Sequence, residues 1–185
     1  RALCYALSKS GVRTIAIDKD ERKLRTLSQE NSDIFCVPCD LTDPKHVEKS
    51  ILHITANFPV IHALVNNAGL IRSAPLINIL SKNERKHSIA LWDEVIQSNL
   101  SSVFFTSLHV IDHMIEKRTH GVIINIASIA AMGNAGQTAY AASKAGVIAL
   151  AKTWAKEFAA FGIRSVAISP GFIETAATRE RMPEK

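Results

Sequence analysis

Apolar and polar positions along this chain follow two rhythms that trade places from one end to the other. Val12-Arg13-Thr14-Ile15-Ala16-Ile17 alternates and ends at Asp18, which predicts a strand. Ile34-Phe35-Cys36-Val37, Ile61-His62-Ala63-Leu64-Val65 and Ile163-Arg164-Ser165-Val166-Ala167-Ile168 predict further strands. Val122-Ile123-Ile124-Asn125-Ile126-Ala127 is nearly continuous apolar chain, the pattern of a strand covered on both faces. Between these blocks lie stretches of helical composition. Leu3 to Ser10 is closed by Gly11, Glu21 to Gln29 follows the first strand, and Asp43-Pro44 caps and opens another helix. Trp92 to Lys117 predicts a long helix stopped near Gly121, and an Ala-rich helix runs from Thr138 to Phe161 before Gly162.

Strands alternating with helices at this pace predict βαβ units and a parallel sheet between two helical layers. Ligands of such sheets bind at the carboxyl ends of the strands. Asp18, Asp40, Asn66, Asn67, Ser128 and Pro170-Gly171 all fall at or just past a predicted strand end, so they share one edge. No internal repeat or low-complexity linker divides residues 1–185, which read as one α/β domain.

Composition narrows the function. With 185 residues and 47% hydrophobic positions the chain can bury a substantial core. No apolar run reaches bilayer length, so a membrane role is not expected. The net charge of +5 invites a nucleic-acid reading, yet the Lys and Arg residues are dispersed and aromatics make up only 6%. That is too few for a stacking surface. The denser basic stretches, residues 81–87 and 116–120, read as solvated loop and helix ends in preference to a patch that attracts an anionic substrate or carrier. Cys4, Cys36 and Cys39 form no disulfide framework, which points to a reducing, cytoplasmic setting. Cys36-Val37-Pro38-Cys39 has CxxC spacing but closes a strand and lacks a second ligand pair, so neither a zinc nor a redox role is expected.

The densest chemistry lies at Ser128, Tyr140 and Lys144. Tyr140 and Lys144 stand four apart in Ala139-Tyr140-Ala141-Ala142-Ser143-Lys144, on one face of the predicted helix. A cation beside a phenol favours the phenolate, and such a phenol can exchange a proton with an alcohol oxygen. Ser128, at a strand end facing the same cleft, can hydrogen-bond that oxygen as charge develops on it.

These residues, with Asn66-Asn67-Ala68-Gly69, Asn99 in Gln97-Ser98-Asn99-Leu100, and Pro170-Gly171-Phe172-Ile173-Glu174-Thr175, resemble the short-chain dehydrogenase/reductase family over the whole chain. The resemblance implies a Rossmann-type doubly wound parallel sheet in a three-layer α/β/α domain. It also implies hydride transfer between a nicotinamide cofactor and a secondary alcohol or ketone. Tyr140 then corresponds to the acid/base, Lys144 to its activating partner and ribose ligand, Ser128 to the group that polarises the substrate oxygen, and Asn99 to the residue that places a proton-relay water. Asp40 and the Leu41 backbone would hold the adenine. Asn66, Ala68 and Gly69 would flank the adenosine, while Pro170, Gly171, Ile173 and Thr175 would border the nicotinamide. Asp18 ends the strand whose carboxylate takes the ribose hydroxyls, which favours NAD(H) over NADP(H), although Lys19 and Arg22 are close enough to receive a phosphate. No metal is expected.

The family's Gly-rich turn and first strand would precede Arg1, and its last helix and strand would follow Lys185. The chain is therefore expected to be part of a domain of roughly 250 residues. In the order 3-2-1-4-5-6, loss of strand 1 leaves two unpaired interior edges. The stretch between Gly69 and Trp92 is longer than in compact 3-oxoacyl-carrier reductases and resembles the insertion of type-2 3-hydroxyacyl-CoA dehydrogenases. Ser128 to Tyr140 is one residue shorter than is usual in those branches. The substrate class expected is a 3-hydroxyacyl or 3-oxoacyl thioester, with a hydroxysteroid, a polyol or an idle dinucleotide-binding module as alternatives. Lys117, Arg118 and Arg164 would either meet a phosphopantetheine or acidic carrier or be solvated. Ala141, Ala145, Ala149 and Ala159 permit close helix packing, and the resemblance implies a homodimer or homotetramer.

Overall fold

The computed structural model describes residues 1–173. Five parallel strands form two pieces of sheet. In the first, β1 (Thr14–Asp18) pairs in register with β2 (Ile34–Pro38). In the second, β4 (Val122–Ile126) lies between β3 (Ala63–Asn66) and β5 (Arg164–Ile168). The two pieces pair as strands 2 and 3 and strands 4, 5 and 6 do in the order 3-2-1-4-5-6. A helical layer joins them: α3 (Pro44–Asn57), which follows β2, packs along α5 (Ser102–Glu116), which leads into β4. Val37, Val47, Ile51 and Ile54 from one side share a core with Val103, Val110, Met114 and Ile123 from the other.

The alternation read from the sequence sets the layers. Ala16, Ile34 and Cys36 face a small core with Leu24 and Leu27 of α2 (Glu21–Glu30), and Cys4 and Tyr5 of α1 (Ala2–Lys9) pack on it. Their neighbours Ile15, Ile17, Phe35 and Val37 point the other way, into the core shared with α3 and α5. Helices thus cover both faces.

Capping explains where the helices start. Asp20 accepts from the Arg22 and Lys23 amides, Asp43 from Lys45 and His46 ahead of Pro44, and Ser88 from Leu91 at the start of α4 (Ile89–Ile96). The long helix predicted over 92–117 is two helices. Between α4 and α5 the backbone widens into a π turn at Gln97–Ser101, where the Ser102 amide reaches back to Gln97. The Ser102 hydroxyl donates to the Ser98 carbonyl at 2.6 Å, giving that carbonyl a partner inside the irregular turn. The Ala-rich helix, α6, covers Thr138–Glu157, and a single 3-10 turn at Ala159–Phe161 carries the chain to Gly162.

The basic residues Lys117, Arg118 and Arg164 lie at the amino ends of β4 and β5, where the Arg164 amide donates to the Gly121 carbonyl. Ser128 and Pro170 follow the carboxyl ends of the same strands. Those three cations therefore sit at the opposite edge from the tyrosine and serine, because α5 ends where β4 begins.

Candidate active site

Three segments meet beyond the carboxyl ends of β3, β4 and β5. Ser128 follows β4 and opens a 3-10 turn at Ile129–Met132. Its Oγ accepts from the Ala130 amide at 3.1 Å, and its own O–H donates to nothing among the described residues. The hydroxyl is thus held from one side with its proton available.

Tyr140 and Lys144 are both buried on the first turns of α6. The tyrosine ring packs with Val95, Ala130 and Ala139, and Leu70 and Leu91 lie against the same cluster. Its hydroxyl makes no hydrogen bond among the described residues, yet no buried side-chain polar atom lacks a partner. The ring is therefore enclosed while the hydroxyl oxygen keeps some accessible surface. The Lys144 ammonium stands 5.9 Å from the centre of the Tyr140 ring and donates to the Ile126 carbonyl at 2.6 Å. Burial lowers its pKa from 10.5 to about 8. An ammonium with one backbone partner keeps two N–H donors for other oxygens.

Asn99 is fully buried in the π turn. Its Oδ1 accepts from the Leu70 amide at 2.8 Å, and its Nδ2 donates to the Leu70 carbonyl at 2.8 Å and to Ser143 Oγ at 3.3 Å. Ser143 in turn donates to the Tyr140 carbonyl at 2.7 Å. The Asn99 amide therefore clamps the loop segment following Gly69 to the helix that bears Tyr140. A Cβ at Gly69 would lie 3.0 Å from Asn99 Oδ1 and 3.8 Å from Lys144 Nζ, so only glycine fits there without displacement.

The remaining predicted residues spread along the same edge. Asp18 is exposed at the end of β1, with its Oδ1 accepting from the Asp20 amide at 2.9 Å. Asp20, not Asp18, caps α2. Asp40 accepts from the Thr42 amide and hydroxyl, which holds its carboxyl below the usual range, and Leu41 is half-buried beside it. Asn66 turns inward: its Nδ2 donates to Ser107 Oγ and Asn125 Oδ1 at 2.9 and 2.8 Å, and Thr106 donates to its Oδ1. This network ties β3 and β4 to α5, so the cleft sees only Asn67, Ala68 and Gly69 of that motif, all exposed. The Pro170 carbonyl accepts from the Ile129 amide, and Gly171 and Ile173 are exposed. Thr175 lies outside the described residues. Sequence reasoning missed Ile126 and Leu70, which act through backbone atoms that carry no side-chain signature. It also missed Ser143, whose neighbours Tyr140 and Lys144 took the attention.

A parallel sheet whose carboxyl edge carries a carboxylate, small exposed residues and a buried lysine beside a tyrosine defines a dinucleotide-binding α/β oxidoreductase. The edge fits such a cofactor: Ala68 and Gly69 present no bulk to a ligand, and nothing lies within 4 Å of a Cβ added at Gly171. The family described as short chain dehydrogenase matches residues 1–185, and the chain belongs to it. Members of that family are nicotinamide-dependent oxidoreductases.

Among curated relatives, the chain is 37% identical over 190 residues to the 3-oxoacyl-acyl-carrier-protein reductase of Thermotoga maritima, covering all of this chain and 73% of that one. It is 38% identical over 181 residues to the Escherichia coli reductase of the same name, covering 97% of this chain and 70% of that one. Among solved structures, one named ribose-5-phosphate isomerase from Brucella melitensis superposes with a TM-score of 0.87 at 29% identity. That match covers 97% of this chain and 66% of the other. The structure of gox2181 gives a TM-score of 0.84 at 29% identity, with 97% and 69% covered.

Among the described residues no helix is long and apolar enough to cross a membrane, and no group of three or more His, Cys, Asp or Glu could hold a metal ion.

Proposed function

We propose that this chain carries the catalytic residues of a reductase that interconverts a 3-oxoacyl and a 3-hydroxyacyl thioester. The observation that carries the reading is the pairing of a buried ammonium with a buried tyrosine whose hydroxyl is left unbonded by the described residues. Bound at this edge, a nicotinamide dinucleotide supplies the hydride. The protein's residues do the rest. The free O–H of Ser128 donates to the substrate carbonyl oxygen and stabilises the charge that gathers there. The Tyr140 hydroxyl delivers the proton that completes the alcohol, and it withdraws one in the reverse direction. Lys144 sets the electrostatics of the phenol and offers its two remaining N–H donors to cofactor hydroxyls.

Asn99 acts here as a clamp. Both its N–H donors go to Leu70 and Ser143 and its Oδ1 accepts from the Leu70 amide, so a water it orients would meet the second lone pair of Oδ1 or backbone atoms of the π turn. The exposed Asp18 carboxylate suits a ribose with both hydroxyls free and repels a 2′-phosphate, which supports NAD(H). The exposed flanks of α5 and α6, including Phe104, Leu108, Ala145 and Ala149, support assembly into a homodimer or homotetramer. Three free cysteines suit the cytoplasm.

The test is Tyr140→Phe in the full-length protein, assayed with a 3-oxoacyl thioester and NADH. Turnover should fall by about two to four orders of magnitude while NADH binding, followed by fluorescence, is kept. Wild-type turnover in that variant would end this reading. In the same assay Asp18→Ala should move preference toward NADPH.

A further inference from the structure

The segment between Gly69 and α4 contains a feature that none of the chemistry above uses. Residues 76–87 form a short antiparallel arm. Ile77 bridges Lys86, the Asn78 amide donates to the Arg85 carbonyl at 2.6 Å, and the His87 amide donates to the Leu76 carbonyl at 2.9 Å. Its tip is ordered by local bonds: Asn78 Oδ1 accepts from the Leu80 amide, and Ser81 Oγ accepts from the Glu84 amide. This arm is built to hold a shape, and its surface is unusual. Ile79 is 77% exposed and Leu80 is 90% exposed. Beside them Lys82, Arg85 and Lys86 face a single acid, Glu84, and none of the four is in an ion pair among the described residues. An open cleft of about 450 Å³ is lined by Asn83, Glu84, Arg85, Lys86 and Ser88.

The base of the arm is stitched to the active site. Ala74 bridges Gln137, the Thr138 amide donates to the Ala74 carbonyl at 3.3 Å, and Gln137 Nε2 donates to Ser73 Oγ at 3.3 Å. Gln137 and Thr138 open the helix that bears Tyr140. Leu70 before the arm and Leu91 after it both pack on the Tyr140 cluster.

We propose that this arm is a docking element for an acidic carrier protein that presents its tethered substrate to Tyr140. The proposal rests on the thioester reading for the identity of the partner. The arm itself supplies the rest. An apolar tip that projects into solvent cannot enclose a small molecule, but it can insert into a groove on another protein. Three unpaired cations around that tip select a negatively charged partner and speed its encounter. A second copy of this chain is a poor occupant, because an isologous contact between two arms would set like charges against each other. Docking at the arm brings a tethered thioester toward the start of α6, to which the arm's base is bonded and on whose first turns Tyr140 lies.

The experiment uses the full-length protein and a triple charge reversal, Lys82→Glu with Arg85→Glu and Lys86→Glu, beside Leu80→Ser. Binding of holo-acyl carrier protein is measured directly by anisotropy. Turnover is measured with the same 3-oxoacyl group on the carrier and on a short pantetheine analogue. The reversal should weaken carrier binding and raise KM for the carrier-linked substrate at least roughly tenfold, leaving kcat and the short thioester unchanged. Leu80→Ser should weaken carrier binding without altering its salt dependence. Unchanged carrier binding in both variants, no carrier binding by the wild type, or a reversal that changes the oligomeric mass would each overturn the arm's assignment. Arm-dependent carrier binding without turnover of either thioester would leave the arm standing and remove the thioester reading. Turnover of both substrates with no effect of the arm variants would do the opposite.

Discussion

The two edges of the β3-β4-β5 sheet use the same kind of residue in opposite ways. At the carboxyl edge Lys144 is buried, its ammonium touches one backbone carbonyl, and burial lowers its pKa to about 8. At the amino edge Arg118 is exposed, and among the described residues its neighbour Lys117 pairs with Glu116 alone. Arg118 ends α5 with φ of 51°, the sole positive-φ residue other than glycine among those described. There the Arg118 amide donates to the Ile115 carbonyl and the Thr119 amide to Met114, closing the helix end. A cation at a helix carboxyl end is favoured by the helix dipole and by water, and it needs no further purpose. A cation buried against a tyrosine is disfavoured by desolvation and persists only where something else requires it. Chemistry is to be sought where the environment works against the charge.

Removing each cation tests that contrast. Lys144→Met should lower kcat of the full-length enzyme by about two or more orders of magnitude, because the proton-transfer group loses its electrostatic partner. Arg118→Met should leave kcat within about twofold, since surface changes away from special features are close to neutral. Steady-state kinetics on the two variants side by side would read the difference. Equal effects would erase the distinction between the edges.

A smaller effect is expected from crowding the carboxyl edge without touching a charge. Gly69→Ala places a methyl 3.0 Å from Asn99 Oδ1, and that oxygen is fixed by the Leu70 amide. The clamp must shift by a few tenths of an ångström, moving α6 against the strand end. A fall in kcat of roughly tenfold is expected, with the melting temperature lowered by a few degrees. A full-rate Gly69→Ala enzyme would show that the Asn99 clamp does not set the geometry of Tyr140.

These edges also show what the sequence can and cannot reveal. Asp18, Ser128, Tyr140 and Lys144 were legible because strand ends and the i, i+4 spacing depend on local pattern, and the parallel topology follows from it. The π turn was not legible. Gln97 to Ser102 is rich in Ser and Asn, poor residues for a helix interior, yet the widening depends on Asn99 bonding to Leu70, which is 29 residues away. Tertiary hydrogen bonds of this kind leave no period to read. The same holds for Lys117, Arg118 and Arg164. They are candidates for an acidic partner until the chain direction in β4 and β5 carries them away from the cleft, whereas the arm bearing Lys82, Arg85 and Lys86 is joined at its base to the start of α6 by the bridge between Ala74 and Gln137.

The buried lysine should also be visible in stability. In the free protein its folded pKa lies near 8, against 10.5 for the ordinary side chain. Between these values the unfolded chain holds more protons than the folded one, so stability rises with pH through the window from about 8 to 10.5. Wild type should gain on the order of 1–3 kcal/mol relative to Lys144→Met across that window, measured by urea unfolding at each pH. A constant difference between the two proteins would mean that Lys144 is as well solvated as Arg118.

The smallest expected effect belongs to Arg118→Gly, and it sharpens the contrast from the other side. A left-handed residue with a Cβ carries roughly 1–2 kcal/mol of strain, which glycine does not. Glycine in turn loses more backbone freedom on folding, by roughly 0.5–1 kcal/mol. Loss of the cation at the helix end removes a further few tenths of a kcal/mol. The balance predicts a stability gain of about 0.5 kcal/mol or less, seen as a small rise in the urea midpoint with unchanged slope. Turnover should not move, because Arg118 lies across the sheet from Tyr140. If Arg118→Gly instead lowered turnover while stability rose, the strained arginine would be serving the reaction from the amino edge, and the division of labour between the two edges would fail.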